Sequence, residues 1–409
     1  MARPRLVILG SGFAGYSLAR NLQRDQFETT IVAPRNYFVF TPLLPSALVG
    51  TVEFRSILEP VRRRVRGARM VEAEATAVDV AARTVQCRAV VTGEELTLPF
   101  DLLVVAVGCA VADYGVAGVA EHALSLQDVG DARAIRGRVL EQLAAADLPG
   151  LPEEEVRRRL TFVVCGGGAT GVEIAAELHD FLDDELRATF PEVARLSRVL
   201  LLEATPRLLG GFDEALADYT HEHFGREGIE VRTSTPVARI ERDRVVLADG
   251  EEVPCGMVLW AGGLAARPLV RGLGLPLDGR GRLRVDRSLR LPGVTGGFAL
   301  GDCAACGDPP LPATAQVAQQ QGKHLARVLR LEASGRRAPD FRFRSYGMLA
   351  YIGGGEALAD LPQVKWSGRA AWLFWRSVYL TKLVSLANKV KVLFDWGKAA
   401  VFGRDTSRF

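Results

Sequence analysis

No apolar run in this chain approaches the roughly 18–20 residues that a bilayer-spanning helix needs, so no membrane-crossing helix is expected. An apolar strand is read from Leu6 onward, so no signal or transit segment is expected. Cysteine is scarce: there are six in 409 residues, at positions 87, 109, 165, 255, 303 and 306. Most lie in or beside apolar strands, and their spacing is not that of a secreted disulfide framework, which makes a reducing compartment the default. Cys303 and Cys306 form a single Cys-x-x-Cys. A structural zinc site wants a second pair at suitable spacing, so no metal is expected. No nucleic-acid partner is expected either.

What is present describes a globular protein. Hydrophobic residues make up 48% and charged residues 24% of the chain, enough apolar content for large cores, which excludes a disordered or fibrous protein. The length suggests two or three domains. The net charge of +3 hides an asymmetry. From Lys365 to Phe409 nine basic residues (Lys365, Arg369, Arg376, Lys382, Lys389, Lys391, Lys398, Arg404, Arg408) face two acids (Asp395, Asp405), so the tail carries +7 and the body −4. Four of the five tryptophans, Trp366, Trp372, Trp375 and Trp396, also lie there. The tail reads as a separate functional unit.

The chain opens with a buried-strand pattern over residues 5–10, the loop Gly10-Ser-Gly12-Phe-Ala-Gly15, a helix from about Ala14 to Leu22 and a strand from Thr29 to Ala33. That is the start of a βαβ dinucleotide fold. The pattern recurs about 150 residues later, with a strand from Leu160 to Cys165, the loop Gly166-Gly167-Gly168-Ala-Thr-Gly171, a helix from Val172 to Phe181 and a strand from Val199 to Glu203. Two further strands end in glycine, at Gly108 and Gly263, and look like crossovers between domains. Gly297 to Asp302 is a last short strand, followed by a helix that starts near Pro312 and Thr314 and runs through Gln316, Gln320 and His324. The fold class expected is α/β, with two Rossmann-like dinucleotide-binding domains and a C-terminal amphipathic region. The boundaries read as 1–115 and 271–340 for the first dinucleotide domain, 116–270 for the second, and 341–409 for the tail.

A lone Gly-x-Gly-x-x-Gly is weak evidence, but here each copy follows a strand and precedes a helix, the context the chemistry needs. The glycines let backbone approach a pyrophosphate, and the helix N-terminus offers N–H donors. An acid at the end of the second strand accepts from a ribose 2′-hydroxyl and repels a 2′-phosphate. Glu203 is that acid in the second unit, favouring NADH over NADPH, with a solvated strand-end acid as the plainer alternative. In the first unit the position is Ala33, so the ribose there must be held differently. Asp302, after Gly301, can cap a turn and meet a flavin's ribityl and phosphate groups, while the helix beginning at Thr314 can stabilise charge on a reduced flavin. Flavin in the first domain and nicotinamide in the second is the economical arrangement.

Taken together, Ala33-Pro-Arg-Asn-Tyr-Phe-Val-Phe-Thr-Pro-Leu-Leu-Pro45, Gly166 to Glu173, Phe298 to Cys303, Ala315 to Gly322 and Asp395 to Arg408 resemble a type II NADH dehydrogenase, the single-subunit, non-proton-pumping NADH:quinone oxidoreductase, and most of all its mitochondrial-style branch. The resemblance covers nearly the whole chain. It implies non-covalent FAD, NADH, a membrane quinone and peripheral attachment, here at the cytoplasmic face of a bacterial inner membrane. Residue by residue it implies FAD contacts at Gly10, Gly12, Gly15, Arg35, Gly108, Gly301 and Asp302. The NADH contacts implied are Gly166, Gly168, Thr170, Gly171, Glu203 and Gly263, with Gln316 and Gln320 at the quinone end. The two glutamines are spaced to share a helix face, and solvation of that face is their alternative role. Glu173 is the catalytic candidate, to orient the nicotinamide amide or move a proton; compensation of the helix dipole is the competing account. A disulfide reductase would carry a cysteine pair soon after the first glycine loop, but no cysteine precedes Cys87. A sulfide-oxidising relative would also need placed cysteines. The remaining alternatives are a flavoprotein reductase with a ferredoxin or soluble quinone acceptor, and a non-enzymatic NADH-binding flavoprotein.

In the tail, Trp372, Trp375, Tyr379, Leu383, Leu386, Val390 and Leu393 recur at spacings of three and four, which predicts one apolar stripe on a helix or on two joined helices. Flanked by Arg376, Lys382, Lys389 and Lys391, that stripe would lie on an anionic lipid surface. Packing on the protein's own core, or on a second copy as a homodimer, is the other use for it.

Overall fold

The computed structural model describes residues 3–23 and 25–407; Arg408 of the basic tail lies outside them. Contacts divide the chain into two units. One comprises Met1–Val39, Glu59–Ala110 and Leu264–Ser345, the other Phe40–Leu58, Val111–Gly263 and Tyr346–Phe409.

The first unit opens with β1 (Arg5–Leu9), α1 (Phe13–Asn21) and β2 (Glu28–Ala33), continues with β3 (Ala68–Asp79), and reaches β4 (Leu102–Val105) before the chain leaves it. The second unit supplies β5 (Thr161–Cys165), α2 (Ala169–Phe181), β6 (Arg198–Leu202) and β7 (Met257–Trp260). The chain then returns to the first unit for β8 (Gly297–Ala299) and α3 (Ala315–Ala333). It ends in the second with β9 (Met348–Gly353), β10 (Glu356–Asp360), α4 (Arg369–Lys382) and α5 (Leu386–Phe402).

In the first unit β8, β4, β1, β2 and β3 lie side by side in that order and run parallel, and two antiparallel strands, Thr84–Ala89 and Glu95–Pro99, extend the sheet beyond β3. Leu6 to Leu9 are buried, as a central parallel strand covered on both faces requires. α1 and α3 pack on each other through Gly322. A Cβ there would meet the Ala14 carbonyl oxygen at 2.5 Å, Leu18 N at 2.8 Å and Ser17 Cβ at 2.8 Å. Ser17 Oγ adds a hydrogen bond to the Gln319 carbonyl at 3.0 Å.

In the second unit five strands run parallel, in the order Ala123–Leu124, β7, β5, β6 and Glu230–Arg232. The antiparallel pair β9–β10, with Ala350 opposite Leu358, packs against α2. This α/β architecture, with two Rossmann-like units, is the fold class the repeated motif predicts.

Three details differ from the sequence reading. The two crossover strands stop at Val105 and Trp260, short of their glycines, and Gly108 and Gly263, with positive φ values of 66° and 133°, lie in the turns that follow. By contacts, the described residues from Tyr346 onward group with the second unit. The single stripe also divides. Trp375 and Leu383 are each only 3% exposed, whereas Leu386 is 76% and Val390 58% exposed. The break at Leu383–Ser385, where Ser385 caps the new helix by accepting from Asn388 N–H at 3.1 Å, resets the helical phase, so one face cannot continue from α4 into α5.

Gly322→Ala is expected to lower stability by about 1–3 kcal/mol, since the new methyl group meets backbone that cannot move aside. Denaturant unfolding of the two proteins checks this, and equal midpoints would contradict the packing.

Candidate functional site

The two glycine loops are built alike. Gly10 and Gly166 take φ values of 107° and 111°. A side chain on either would strike the carbonyl of the crossover strand, at Ala106 or Ala261. Gly15 and Gly171 sit in the first turn of their helices, where a Cβ would strike the carbonyl of Gly10 or Gly166. At the middle glycines, Gly12 and Gly168, a Cβ would meet nothing within 4 Å, and both are exposed. Two glycines per loop are therefore spent on close backbone packing, and the third faces open space. Each middle glycine is also the N-cap of its helix and offers no side-chain cap to the first turn. This is a cradle for a pyrophosphate. Thr170 is exposed on the first turn of α2 beside Gly168.

Glu203 follows β6 at the mouth of the second cradle. Its Oε2 accepts from Gly167 N–H at 2.5 Å and its Oε1 from Thr205 N–H at 2.7 Å. The loop thus fixes the carboxylate at the strand end while leaving lone pairs for a ribose hydroxyl. In the first unit Ala33 ends β2 and is buried. Ser11 Oγ donates to the Arg35 carbonyl at 3.4 Å, which ties the segment after β2 to the first loop.

Gly301 and Asp302 form a short turn after β8. The Gly301 N–H donates to Oε1 of Gln321, 2.7 Å away and buried on α3. Sequence reasoning missed Gln321, although the Gln319-Gln320-Gln321 run was the signal. Burial pushes the Asp302 carboxyl above the usual carboxylate range, with Arg282 pulling it back. Thr314 caps α3, its Oγ1 accepting from Val317 N–H at 3.3 Å. Gln320 donates from Nε2 to the Arg344 carbonyl at 2.9 Å and accepts from Arg344 N–H at 3.0 Å, so its amide anchors a neighbouring segment. Gln316, one turn earlier, is half-buried. Cys303 is enclosed, its thiol against the Leu300 and Val105 carbonyls at 3.3 and 3.4 Å, which is a packing role.

α2 carries a column of acids on one face: Glu173, Glu177 and Asp180. The sequence reading singled out only Glu173; the i, i+4, i+7 spacing was the signal for the other two. The β9–β10 hairpin and α4 close over them. Glu173 Oε1 accepts from Tyr351 N–H at 3.3 Å, and burial pushes this carboxyl up to about 8, the Tyr351 bond opposing the shift. Glu177 accepts from the hydroxyls of Ser46 and Thr51, and burial lifts it to about 7 against the pull of Arg404. Asp180 is raised by burial and accepts from the Tyr351 hydroxyl at 2.5 Å and from Gly354 N–H at 3.1 Å. An isolated helix-dipole acid would stay ionised. Near neutral pH Glu173 is instead poised to hold and release a proton, the property a general acid–base group needs.

Two pyrophosphate cradles, one per unit, with a buried titratable carboxyl on the helix that starts at the second, define a two-dinucleotide oxidoreductase. A profile of the pyridine nucleotide-disulphide oxidoreductase family matches residues 4–322, and one of the NDH2 C-terminal domain matches residues 346–405. A probable NADH dehydrogenase of Dictyostelium discoideum is 38% identical over 99% of this chain and 91% of its own length. An internal alternative NAD(P)H-ubiquinone oxidoreductase A1, mitochondrial, of Solanum tuberosum is 37% identical over 99% of this chain and 88% of its own. The structure of NDH2 from Plasmodium falciparum in complex with NADH superposes with a TM-score of 0.95 at 25% identity, covering 99% of this chain and all of that one. The chain belongs to the type II NADH dehydrogenases, the NDH2 group of the pyridine nucleotide-disulphide oxidoreductase family.

Glu173 titrates near 4.5 when unfolded and near 8 in the fold, so the native state holds this proton more tightly. The stability it contributes is complete below about pH 4.5 and is lost as pH rises towards 8. Glu173→Gln, permanently neutral, should flatten that decline by up to about 1.4 kcal/mol per pH unit. Denaturant unfolding at several pH values between these limits checks it, and parallel wild-type and variant curves would count against the buried titration.

Proposed function

We infer that this protein is an NADH:quinone oxidoreductase that carries FAD non-covalently in the first unit and binds NADH in the second. The observation that carries the reading is the duplicated cradle, closed by two glycines and open at the third, in both units. FAD supplies the two-electron chemistry between nicotinamide and quinone. Gly10, Gly12, Gly15, Arg35, Gly108, Gly301 and Asp302 hold it, and Gln321 keeps the Gly301 turn in place. Gly166, Gly168, Thr170, Gly171, Glu203 and Gly263 hold NADH, Glu203 taking the ribose hydroxyl and opposing a 2′-phosphate. Glu173 holds and releases a proton during turnover. Gln316 and Gln320 serve the quinone, Gln320 by fixing the backbone at Arg344.

The assay is NADH or NADPH oxidation with quinones by purified protein whose flavin has been identified. NADH is expected to be strongly preferred, and Glu203→Gln to narrow the ratio of kcat/KM values by about tenfold, equivalent to about 1.4 kcal/mol. Gln316→Ala should slow quinone reduction while NADH still bleaches the flavin. Equal use of both nucleotides by the wild type would remove the role given to Glu203.

The reading extends to an anionic lipid surface, at the cytoplasmic face of a bacterial inner membrane. Among the described residues no helix is long and apolar enough to cross a membrane. On α5, Leu386, Val390, Leu393, Phe394 and Val401 are all more than half exposed, and at 100° per residue they fall on one side. Lys382 and Lys391 are exposed nearby along the tail. A basic residue at an anionic surface contributes about 1 kcal/mol, which suits an interfacial helix. Val390→Asp with Phe394→Asp should abolish flotation with anionic liposomes and leave NADH oxidation by a soluble quinone intact. Unchanged flotation would defeat the lipid assignment, and loss of a dimer in the variant without any liposome binding by the wild type would assign the face to a second copy.

A further inference from the structure

The first cradle lacks the ribose acceptor that the second has. This fold ordinarily places an acid at the end of its second strand to accept from the ribose 2′-hydroxyl, as Glu203 can in the second unit. In the first unit that position is Ala33, 2% exposed and followed by Pro34 and Arg35, neither of which has an acceptor side chain. The parallel register puts an acid at the same height. Ala33 on β2 pairs with Glu72 on β3, one strand spacing away.

The Glu72 side chain turns towards the end of β2. Its Oε2 accepts from Asn36 Nδ2 at 3.3 Å, three residues beyond Ala33, and its Oε1 from Arg62 Nη2 at 3.2 Å. These bonds hold the carboxylate in place, leave lone pairs on both oxygens, and keep the side chain 30% exposed to a ligand. The same segment is tied to the glycine loop by Ser11 Oγ on the Arg35 carbonyl at 3.4 Å and by Gly10 N–H on the Val32 carbonyl at 2.8 Å. Neither of two neighbouring acids offers this. Glu59 is 3% exposed, its Oε1 held by Arg64 Nε at 2.5 Å and its Oε2, which has no partner among the described residues, enclosed away from the surface. Glu74 lies beyond the paired end of β2, opposite Arg88.

We propose that Glu72 is the acceptor for the 2′-hydroxyl of the adenosine ribose of FAD, a carboxylate supplied from the third strand in place of the missing one on the second. The proposal rests on the placing of FAD at the Gly10–Gly15 loop. A hydrogen bond to a charged group that a ligand cannot replace is worth roughly ten- to a hundredfold in affinity.

The test uses the full chain, stripped of flavin and titrated with FAD and with its 2′-deoxyadenosine analogue, dissociation constants being read from flavin fluorescence. The wild type and Glu74→Gln should bind FAD at least about tenfold more tightly than the analogue. In Glu72→Ala the two ligands should bind alike, and in Glu72→Gln the ratio should fall part of the way. A wild-type ratio kept in both Glu72 variants overturns the assignment; should Glu72→Ala fail to fold, Glu72→Gln decides alone by the same criterion. Gly12→Glu, whose side chain projects into open space, should bind neither ligand. If that variant keeps FAD, the placing of the flavin fails; if it loses FAD while the Glu72 variants keep the wild-type ratio, only the role of Glu72 fails.

Discussion

Everything at the two nucleotide sites depends on one contact made twice: the backbone of a helix's first turn lying against the carbonyl of the glycine that precedes it. Gly15 meets Gly10 in this way, and Gly171 meets Gly166. No residue with a Cβ fits, and the contact sets the angle at which each helix leaves its strand. That angle aims the helix N-terminus and the open middle glycine at one point. Both cradles therefore follow from packing, and the anion-binding property is a by-product of how closely strand and helix approach.

The second cradle is accompanied by a further device. Glu173 lies one turn beyond the second cradle, where a solvated acid would be ionised and could only offset the helix dipole. The β9–β10 hairpin removes that option. It covers the face of α2, gives Glu173 a single backbone donor, and lets burial dominate, so that the carboxyl titrates near 8. Tyr351 binds the column at two points, through its N–H to Glu173 and through its hydroxyl to Asp180. The residues that tune Glu173 are thus about 180 positions away in sequence, in the region that also carries the basic tail.

That region shows why composition alone misleads. Tryptophan and apolar residues at helical spacing look like one interfacial stripe. In the fold Trp375 packs against Tyr351 and Trp396, with ring centroids 5.7 and 6.5 Å away, and the guanidinium of Arg376 lies 3.9 Å from the ring centre of Trp372. The aromatic half therefore supports the roof over the acids, while α5 keeps an outward apolar face. A helix break of three residues, invisible to a periodicity count that tolerates steps of three and four, divides the two duties.

The fold class, the two cradles and the acid that marks the second of them were legible in the sequence, because glycine spacing and strand-to-helix order are local and admit one geometry. Glu203 was legible from strand order: it directly follows the strand that comes after the glycine-loop helix, in spite of a long intervening segment. Three things were decided only by tertiary structure. Glu177 and Asp180 became members of a buried column because a distant hairpin covers them. Gln321 became the anchor of the Gly301 turn because α3 presents it there, whereas in sequence it is one glutamine of three. Glu72 came to stand beside Ala33 because two strands separated by a long excursion pair in parallel. Desolvation and strand register join residues far apart in the chain, and neither leaves a local pattern from which it can be read.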